Sequence, residues 1–333
     1  LALSAAATAM NNVEAVRSTL HDALAADDRV ILLGEDIGAR GNVFLITKGF
    51  LEEFGPQRIV DTPLAEAAIV GVAIGMAMDG LRPIAEIQFS DFIFPAFNQI
   101  VGQASKTRYR SNGDYTCPLV IRAPYGGGIR GALSHSMSIE ALFYHVPGLK
   151  IVAPSTPADI KGLLNAAIDD PDPVLFLEHK KTYRLVKGEV PDGRYTIPIG
   201  KADVKKAGSD LTVVSYGYYV HQALGAAAQL ENEGISVEVI DLRSIRPMDK
   251  KTIVESVRKT RKVLILHEDN KFGGIGAEIA AMLAEEAFFH LDAPVRRLCG
   301  PDVPPMGYAH SLENEFMISS ERMAQAMREL AEF

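Results

Sequence analysis

Short apolar runs rich in branched side chains recur along the chain, each followed by a helical pattern of apolar positions. Val30-Ile31-Leu32-Leu33, Pro83-Ile84-Ala85-Glu86-Ile87-Gln88-Phe89, Leu119-Val120-Ile121, Leu149-Lys150-Ile151-Val152 and Val174-Leu175-Phe176-Leu177 read as strands. Ser155-Thr156-Pro157-Ala158-Asp159 opens a helix with Pro near its start, where a missing N–H costs least. Asp61 or Thr62 is placed to cap another helix, with Pro63 at its first position and Glu66 in its first turn. Alternating strands and helices imply an α/β fold of parallel sheets covered on both faces.

From 180 to 201 the chain is charged and broken by Gly188, Pro191, Gly193, Pro198 and Gly200, the composition of an interdomain linker. Strand signals resume at 211–216, 236–240 and 263–266 and end near 295–298, with no short repeat period. The division expected is one parallel-sheet domain over 11–185, a linker over 186–204 and a second parallel-sheet domain over 205–333.

Composition narrows the class. The 333 residues are 47% hydrophobic and 23% charged, which excludes disorder and low complexity. A net charge of −8 argues against nucleic acid or anionic lipid as the main partner. Lys180-Lys181 and Lys205-Lys206 read as solvated faces. Two distant cysteines, Cys117 and Cys299, suggest a reducing compartment and are too few for a structural zinc site. The longest apolar stretch, 67–78, is too short to span a bilayer. Leu1 to Thr8 is small and apolar without basic residues, the look of a frayed end rather than a signal peptide. The location expected is the cytoplasm, or the mitochondrial matrix of a eukaryote.

Two residues stand out chemically. Glu66 opens an almost wholly apolar helical stretch, where the helix dipole favours the carboxylate and burial favours the neutral acid. It is either poised for proton exchange with a ligand nitrogen or a dipole-stabilising glutamate. Gly71 and Gly75 share one face of that helix and admit a close backbone. His135 follows the glycine triplet Gly126-Gly127-Gly128 and precedes a helical pattern at 138–143. It is either a proton carrier near neutral pH or an exposed histidine beside a helix cap. His267 ends a strand, at the usual ligand edge of a parallel sheet; His145 and His290 read as surface or satisfied core. Gly273-Gly274-Ile275-Gly276 suits tight strand-to-helix packing. No dinucleotide fingerprint, Walker A sequence, zinc helix or nucleophile elbow occurs.

Gly34-Glu35-Asp36-Ile37-Gly38, the segment 61–71, Ala85-Glu86-Ile87-Gln88-Phe89-Ser90-Asp91-Phe92, Ser134-His135-Ser136, Pro154-Ser155-Thr156-Pro157, Ile240-Asp241-Leu242-Arg243 and Leu291-Asp292-Ala293-Pro294 carry a family resemblance. From Asn11 to Phe333 the chain resembles the β subunit of thiamine-diphosphate-dependent 2-oxo acid dehydrogenases. The segments 123–128 and 131–136 look most like the branched-chain 2-oxoisovalerate enzyme, with pyruvate and acetoin enzymes close. The resemblance implies a transketolase-like pyrimidine-binding domain followed by a transketolase C-terminal-like domain for assembly and acyltransferase docking.

It also implies roles. Glu66 matches the glutamate that hydrogen-bonds N1′ of the cofactor's aminopyrimidine, favouring the imino tautomer whose 4′ nitrogen removes the thiazolium C2 proton. Phe92 matches an aromatic position packed on the pyrimidine, often Tyr in relatives; Gln88 and Glu35 lie at neighbouring positions. His135 matches the histidine that protonates the lipoyl disulfide as it accepts the acyl group. Relatives commonly read His-Ser-Gln-Ser where this chain has His135-Ser136-Met137-Ser138. A structural potassium ion would meet main-chain carbonyls of Leu119, Ala167, Asp170 and Asp172. The Gly-Asp-Gly element and downstream Asn that fix Mg²⁺ and the diphosphate are absent. In the family an α subunit supplies them, which implies an α2β2 heterotetramer and a β chain inactive alone. A lipoyl acyltransferase core is the further partner, and 327–333 is either its docking element or a plain terminal helix. The alternatives are a pyruvate or acetoin dehydrogenase β subunit and a non-catalytic assembly chain.

Overall fold

Val30–Leu33 forms the buried body of strand β2, and the neighbouring apolar runs fall beside it as parallel strands. A computed structural model describes residues 6–304 and 306–333. The chain clusters into two units: residues up to Tyr125 with Phe143–Ile199, and Gly126–Leu142 with Gly200–Phe333.

In chain order the first unit contains β1 (Ala7–Asn11), α1 (Asn12–Ala26), β2 (Val30–Gly34), α2 (Phe50–Phe54), β3 (Ile59–Asp61), α3 (Glu66–Met78), β4 (Arg82–Glu86), α4 (Thr107–Arg110) and β5 (Val120–Tyr125). Helix α5 (Glu140–Tyr144) begins in the second unit and leads back to the first. There follow β6 (Lys150–Val152), α6 (Pro157–Asp169), β7 (Val174–His179), α7 (Thr182–Leu185) and β8 (Lys187–Pro191). The sheet runs β6-β7-β5-β4-β2-β3 with every pair parallel. β5 and β7 are buried at every position, as strands covered on both faces must be.

Helix α1 starts with a reciprocal capping box between Asn11 and Glu14 and buries Ala15, Val16, Leu20 and Leu24 in one core with Ile160, Leu163 and Leu164 of α6. Each Val, Leu or Ile among them contributes about 1.5–3 kcal/mol of burial. Thr156 caps α6 with Pro157 behind it, as the sequence predicts.

Four expectations need correction. Helix α3 does not start at a capped Pro63: it begins at Glu66, with Ala65 at the cap position and no side-chain cap bond. Pro63 holds the preceding residue extended, and Thr62 N–H donates to Gly34 O, prolonging the β2–β3 pairing. Lys187–Pro191, polar enough to read as linker, is a strand antiparallel to β1, with Met10 opposite Gly188. That pairing also makes Ala7 and Thr8 strand rather than frayed end; residues 1–5 lie outside the described ones. Lys180 is no solvated face. It is 3% exposed, with its ammonium 5.7 Å from the centre of the Phe89 ring.

The second unit contains β9 (Asp203–Lys206), β10 (Leu211–Ser215), α8 (Tyr218–Glu231), β11 (Val237–Asp241), β12 (Ser244–Arg246), α9 (Lys250–Thr260), β13 (Val263–Asn270), α10 (Ile275–Glu286), β14 (Arg296–Gly300), α11 (His310–Phe316) and α12 (Ser320–Ala331). Its sheet runs β14-β13-β10-β11-β9, parallel except for β9 against β11. Met323, Met327 and Leu330 of α12 are buried in a core with Leu211, Val213 and Tyr219. The terminal helix is thus part of this unit's packing, while Phe333 remains exposed.

Candidate active site

The carboxyl ends of β2, β3 and β4 carry the first constellation, at the edge where open parallel sheets receive ligands. Glu66 is the first residue of α3, so the helix N-terminus lies at its carboxylate. Its side chain is half-buried rather than withdrawn from water as the sequence suggests, because Leu64 and Ala68 beside it are themselves exposed. Burial raises the Glu35 carboxyl above its usual range, and the nearby charges of Asp36, Glu66 and Asp61 raise it further. Arg40 pairs with Asp36 at 3.1 Å, and Gln88 Nε2 donates to the same carboxylate at 3.3 Å. Phe92 is half-buried, edge-on to Phe89 at 5.8 Å between centroids. The structure therefore gathers Glu35, Glu66 and their acidic neighbours, with Gln88 tied to the group through Asp36 and Phe92 beside Phe89.

Clustered carboxyl groups suit a heterocycle with a basic ring nitrogen and an amino group. An aminopyrimidine fits that donor set. Among the described residues no group of three or more His, Cys, Asp or Glu side chains is arranged to hold a metal ion.

A buried ionic network lies in the same sheet. Arg122 on β5, 1% exposed, donates to Glu86 on β4 at 2.7 Å and to both oxygens of Glu178 on β7 at 2.6 and 2.9 Å. Tyr183 OH donates to Glu178 at 2.7 Å. Asn42 Nδ2 donates to Glu86, and Asn42 Oδ1 accepts from Phe44 N and Ile46 N. Three strands and the loop after β2 are thereby fastened around one guanidinium. Desolvation raises the Glu86 carboxyl despite Arg122, whereas the two carboxylates hold the Arg122 proton more tightly.

His135 lies in the second unit, within the segment Gly126–Leu142. Gly126 and Gly128 take left-handed φ values of 80°, and Arg130 and Ala132 follow at 60° and 55°. A Cβ on Gly127 would collide with the Met306 thioether. Gly127 N donates to Glu268 Oε1 at 2.6 Å; Gly128 N and Arg130 N both donate to Glu313 Oε1, at 3.1 and 2.9 Å. His135 is half-buried. A small cavity on this segment is lined by Ser136, Met137, Ser138, Asp269, Asn270 and Phe316. Glu140, predicted within a helix at 138–143, is the first residue of the shorter α5 and fully buried. It accepts from Tyr216 OH at 2.6 Å. Burial pushes the Glu140 and Asp269 carboxyls up, and their mutual repulsion adds to the effect on Glu140.

Two whole-domain patterns match. "Transketolase, pyrimidine binding domain" covers residues 8–186, and "Transketolase, C-terminal domain" covers 200–323. The chain is 57% identical to the 2-oxoisovalerate dehydrogenase subunit beta of Bacillus subtilis (strain 168), over 97% of this chain and 99% of that one. The chain belongs to the β subunits of 2-oxo acid dehydrogenases. Its similarity to the pyruvate dehydrogenase E1 component subunit beta of Acholeplasma laidlawii is 48%, over 96% of this chain and 97% of the other. Among solved structures, a split gene transketolase described as an inactive beta4 tetramer superposes with a TM-score of 0.79 at 25% identity, covering 97% of this chain and 98% of that one.

In this β subunit three of the residues matched to potassium, Ala167, Asp170 and Asp172, lie at or just after the end of α6, and Leu119 lies just before β5. Asp170 caps that helix and is held by Lys150 at 2.6 Å, and Asp172 is held by Arg108 at 2.7 Å. With both side chains engaged, main-chain oxygens remain for a cation. Ala167 lies four residues before Pro171, which has no N–H to donate, so its carbonyl lacks the ordinary helical donor. Leu119 O accepts from Val174 N at 2.9 Å and keeps a second lone pair.

His267 is not a site residue. It is 1% exposed, its Nδ1 meets Asp269 O at 3.0 Å, and its Nε2 meets Gly276 N at 3.1 Å and Cys299 Sγ at 3.2 Å. Burial lowers its pKa to about 4, which keeps the ring neutral. Gly274 and Gly276 pack against the ring, which is the tight strand-to-helix contact expected of that glycine run.

The Arg122 network and the acids Glu268 and Glu313 went unread in the sequence. Glu86 and Glu178 did leave a signal, each a lone acid at the end of an apolar strand.

Proposed function

We propose that this β subunit acts with an α subunit in the oxidative decarboxylation of branched-chain 2-oxo acids and passes the acyl group to a lipoyl group of an acyltransferase core. The observation that carries the reading is Glu66, at the N-terminus of α3 on the ligand edge of the sheet. Thiamine diphosphate, when bound, supplies the electron sink that lets carbon dioxide leave. Glu66 holds the proton shared with ring nitrogen N1′, the dipole of α3 stabilises its charge, and Glu35 lies close enough to couple to it. Phe92 covers the pyrimidine face without a hydroxyl. Gln88, already bonded to Asp36, orients that rim. His135 delivers a proton to the sulfur released when the lipoyl disulfide opens.

Mg²⁺ and the diphosphate belong to the α subunit in this reading. The inactive β-only tetramer described for the similar split transketolase supports an incomplete site in β chains alone. An α2β2 heterotetramer is the assembly proposed, with a structural potassium ion on main-chain oxygens of Leu119, Ala167, Asp170 and Asp172. The cytoplasm is the compartment proposed, from the likeness to bacterial proteins. Among the described residues no helix is long and apolar enough to cross a membrane.

The test uses the reconstituted α/β complex with an artificial electron acceptor. Glu66→Gln should lower decarboxylation by about 10²–10⁴-fold with assembly intact; a wild-type rate would remove Glu66 from the chemistry. A panel of 2-oxo acids separates branched-chain from pyruvate specificity, the alternative kept open by the 48% identical relative.

A further inference from the structure

Within the Gly126–Leu142 segment Ile139 is fully buried, but the stretch from Gly128 to Ser134 has little apolar anchoring. Ile129 and Leu133 are 40% and 58% exposed, and Ser134 is exposed. Its backbone also takes conformations that side-chain-bearing residues avoid, at Arg130 and Ala132. Beyond the burial of Ile139, other contacts must hold that stretch.

We propose that Glu313, with Glu268, is the positioning residue of the His135 loop, fastening it for acyl transfer; this rests on the role given to His135 above. Glu313 is 4% exposed, and one of its oxygens receives two backbone N–H groups, from Gly128 and Arg130, at 3.1 and 2.9 Å. Both residues take left-handed φ values, and at Arg130, where a side chain makes that costly, the carboxylate rewards the conformation itself. Glu268 Oε1 joins the two limbs of the loop, accepting from Gly127 N at 2.6 Å and from Ser138 Oγ at 3.4 Å. Gly126 N donates to Met137 O at 3.0 Å and closes the base. Charged acceptors make stronger bonds than neutral ones, and several N–H groups converging on one oxygen fix a loop's course. Glu313 touches neither cofactor nor substrate in this account. It acts through the backbone that carries His135.

The experiment compares Glu313→Ala and Glu313→Gln in the assembled α/β complex. Two rates are read: decarboxylation with an artificial acceptor, and acylation of a lipoyl domain. Hydrogen exchange at Gly128 and Arg130 is followed in the same samples. Glu313→Ala should slow lipoyl acylation about tenfold, leave decarboxylation unchanged and speed exchange at both amides. Glu313→Gln, which keeps an acceptor oxygen, should restore most of each. Unchanged exchange in Glu313→Ala, a parallel fall of both rates, or a Gln variant as impaired as Ala would overturn the proposal. If Glu313→Ala does not fold, Glu313→Asp, one methylene short of the amides, must show the same split. A wild-type complex that acylates no lipoyl domain refutes the function proposed above, and exchange then decides the loop's fastening alone.

Discussion

In the first unit, Glu86 and Glu178 share the guanidinium of Arg122. In the second, Glu140 is met by a phenol, and Glu268 and Glu313 by backbone N–H groups. All these acids are at least 95% buried. The ionic arrangement is permanent, because an arginine does not give up its proton, and removing it strands two charges. The second uses neutral donors, each of modest net value, and leaves burial to push Glu140 and Asp269 toward the neutral acid. One arrangement locks three strands, of which β4 also carries the proposed binding edge. The other fastens a loop through bonds that can be released singly.

The contrast can be broken most forcefully at Arg122. Arg122→Met should destabilise the chain by about 3–5 kcal/mol in denaturant unfolding, because two buried carboxylates lose their cation. Replacing Glu86, Arg122 and Glu178 together by apolar residues of similar volume should recover most of that loss. A single Arg122→Met variant of wild-type stability would show the guanidinium to be dispensable.

His267 sharpens the second half through pH. Its folded pKa of about 4 lies below the unfolded value of 6.5. As pH falls below 6.5, the unfolded chain gains a proton the folded chain resists, so stability is full above 6.5 and lost progressively toward pH 4. Complete loss amounts to about 3 kcal/mol. His267→Asn should reduce the fall in unfolding free energy between pH 7 and pH 4 by that order relative to wild type; an unaltered pH profile would contradict it.

The smallest effect belongs to Tyr216→Phe. It removes one neutral donor to Glu140 and should cost about 1 kcal/mol at neutral pH. The loss should grow above about pH 8, where Glu140, pushed up to about 8 by burial, becomes charged and the Tyr216 hydroxyl favours that form. A loss matching that of Arg122→Met would erase the distinction between the two kinds of fastening.

Period and capping made most strands, the α6 start and the first-turn position of Glu66 legible, because these depend on neighbours in sequence. The start of α3 was misread because Thr62 is recruited by Gly34, a partner set by sheet pairing. Lys180 looked solvated because nothing local shows that Phe89 covers it. The bonds around His135 were least visible. A backbone N–H looks the same at Gly128 or Arg130 as anywhere else, and its acceptor lies 185 or 183 positions away. Glu313 sits in a polar stretch, Ser311-Leu312-Glu313-Asn314-Glu315, that resembles any surface helix.

Helix α3 carries a last consequence. Gly71 and Gly75 have no neighbouring backbone against them, and Val72 and Met78 beside them are 52% and 39% exposed. A newly synthesised chain therefore shows water an oily seam without side-chain relief, the kind of surface that self-associates when left bare. Yield of this polypeptide made on its own should be governed less by how well each unit folds than by how soon that seam is covered.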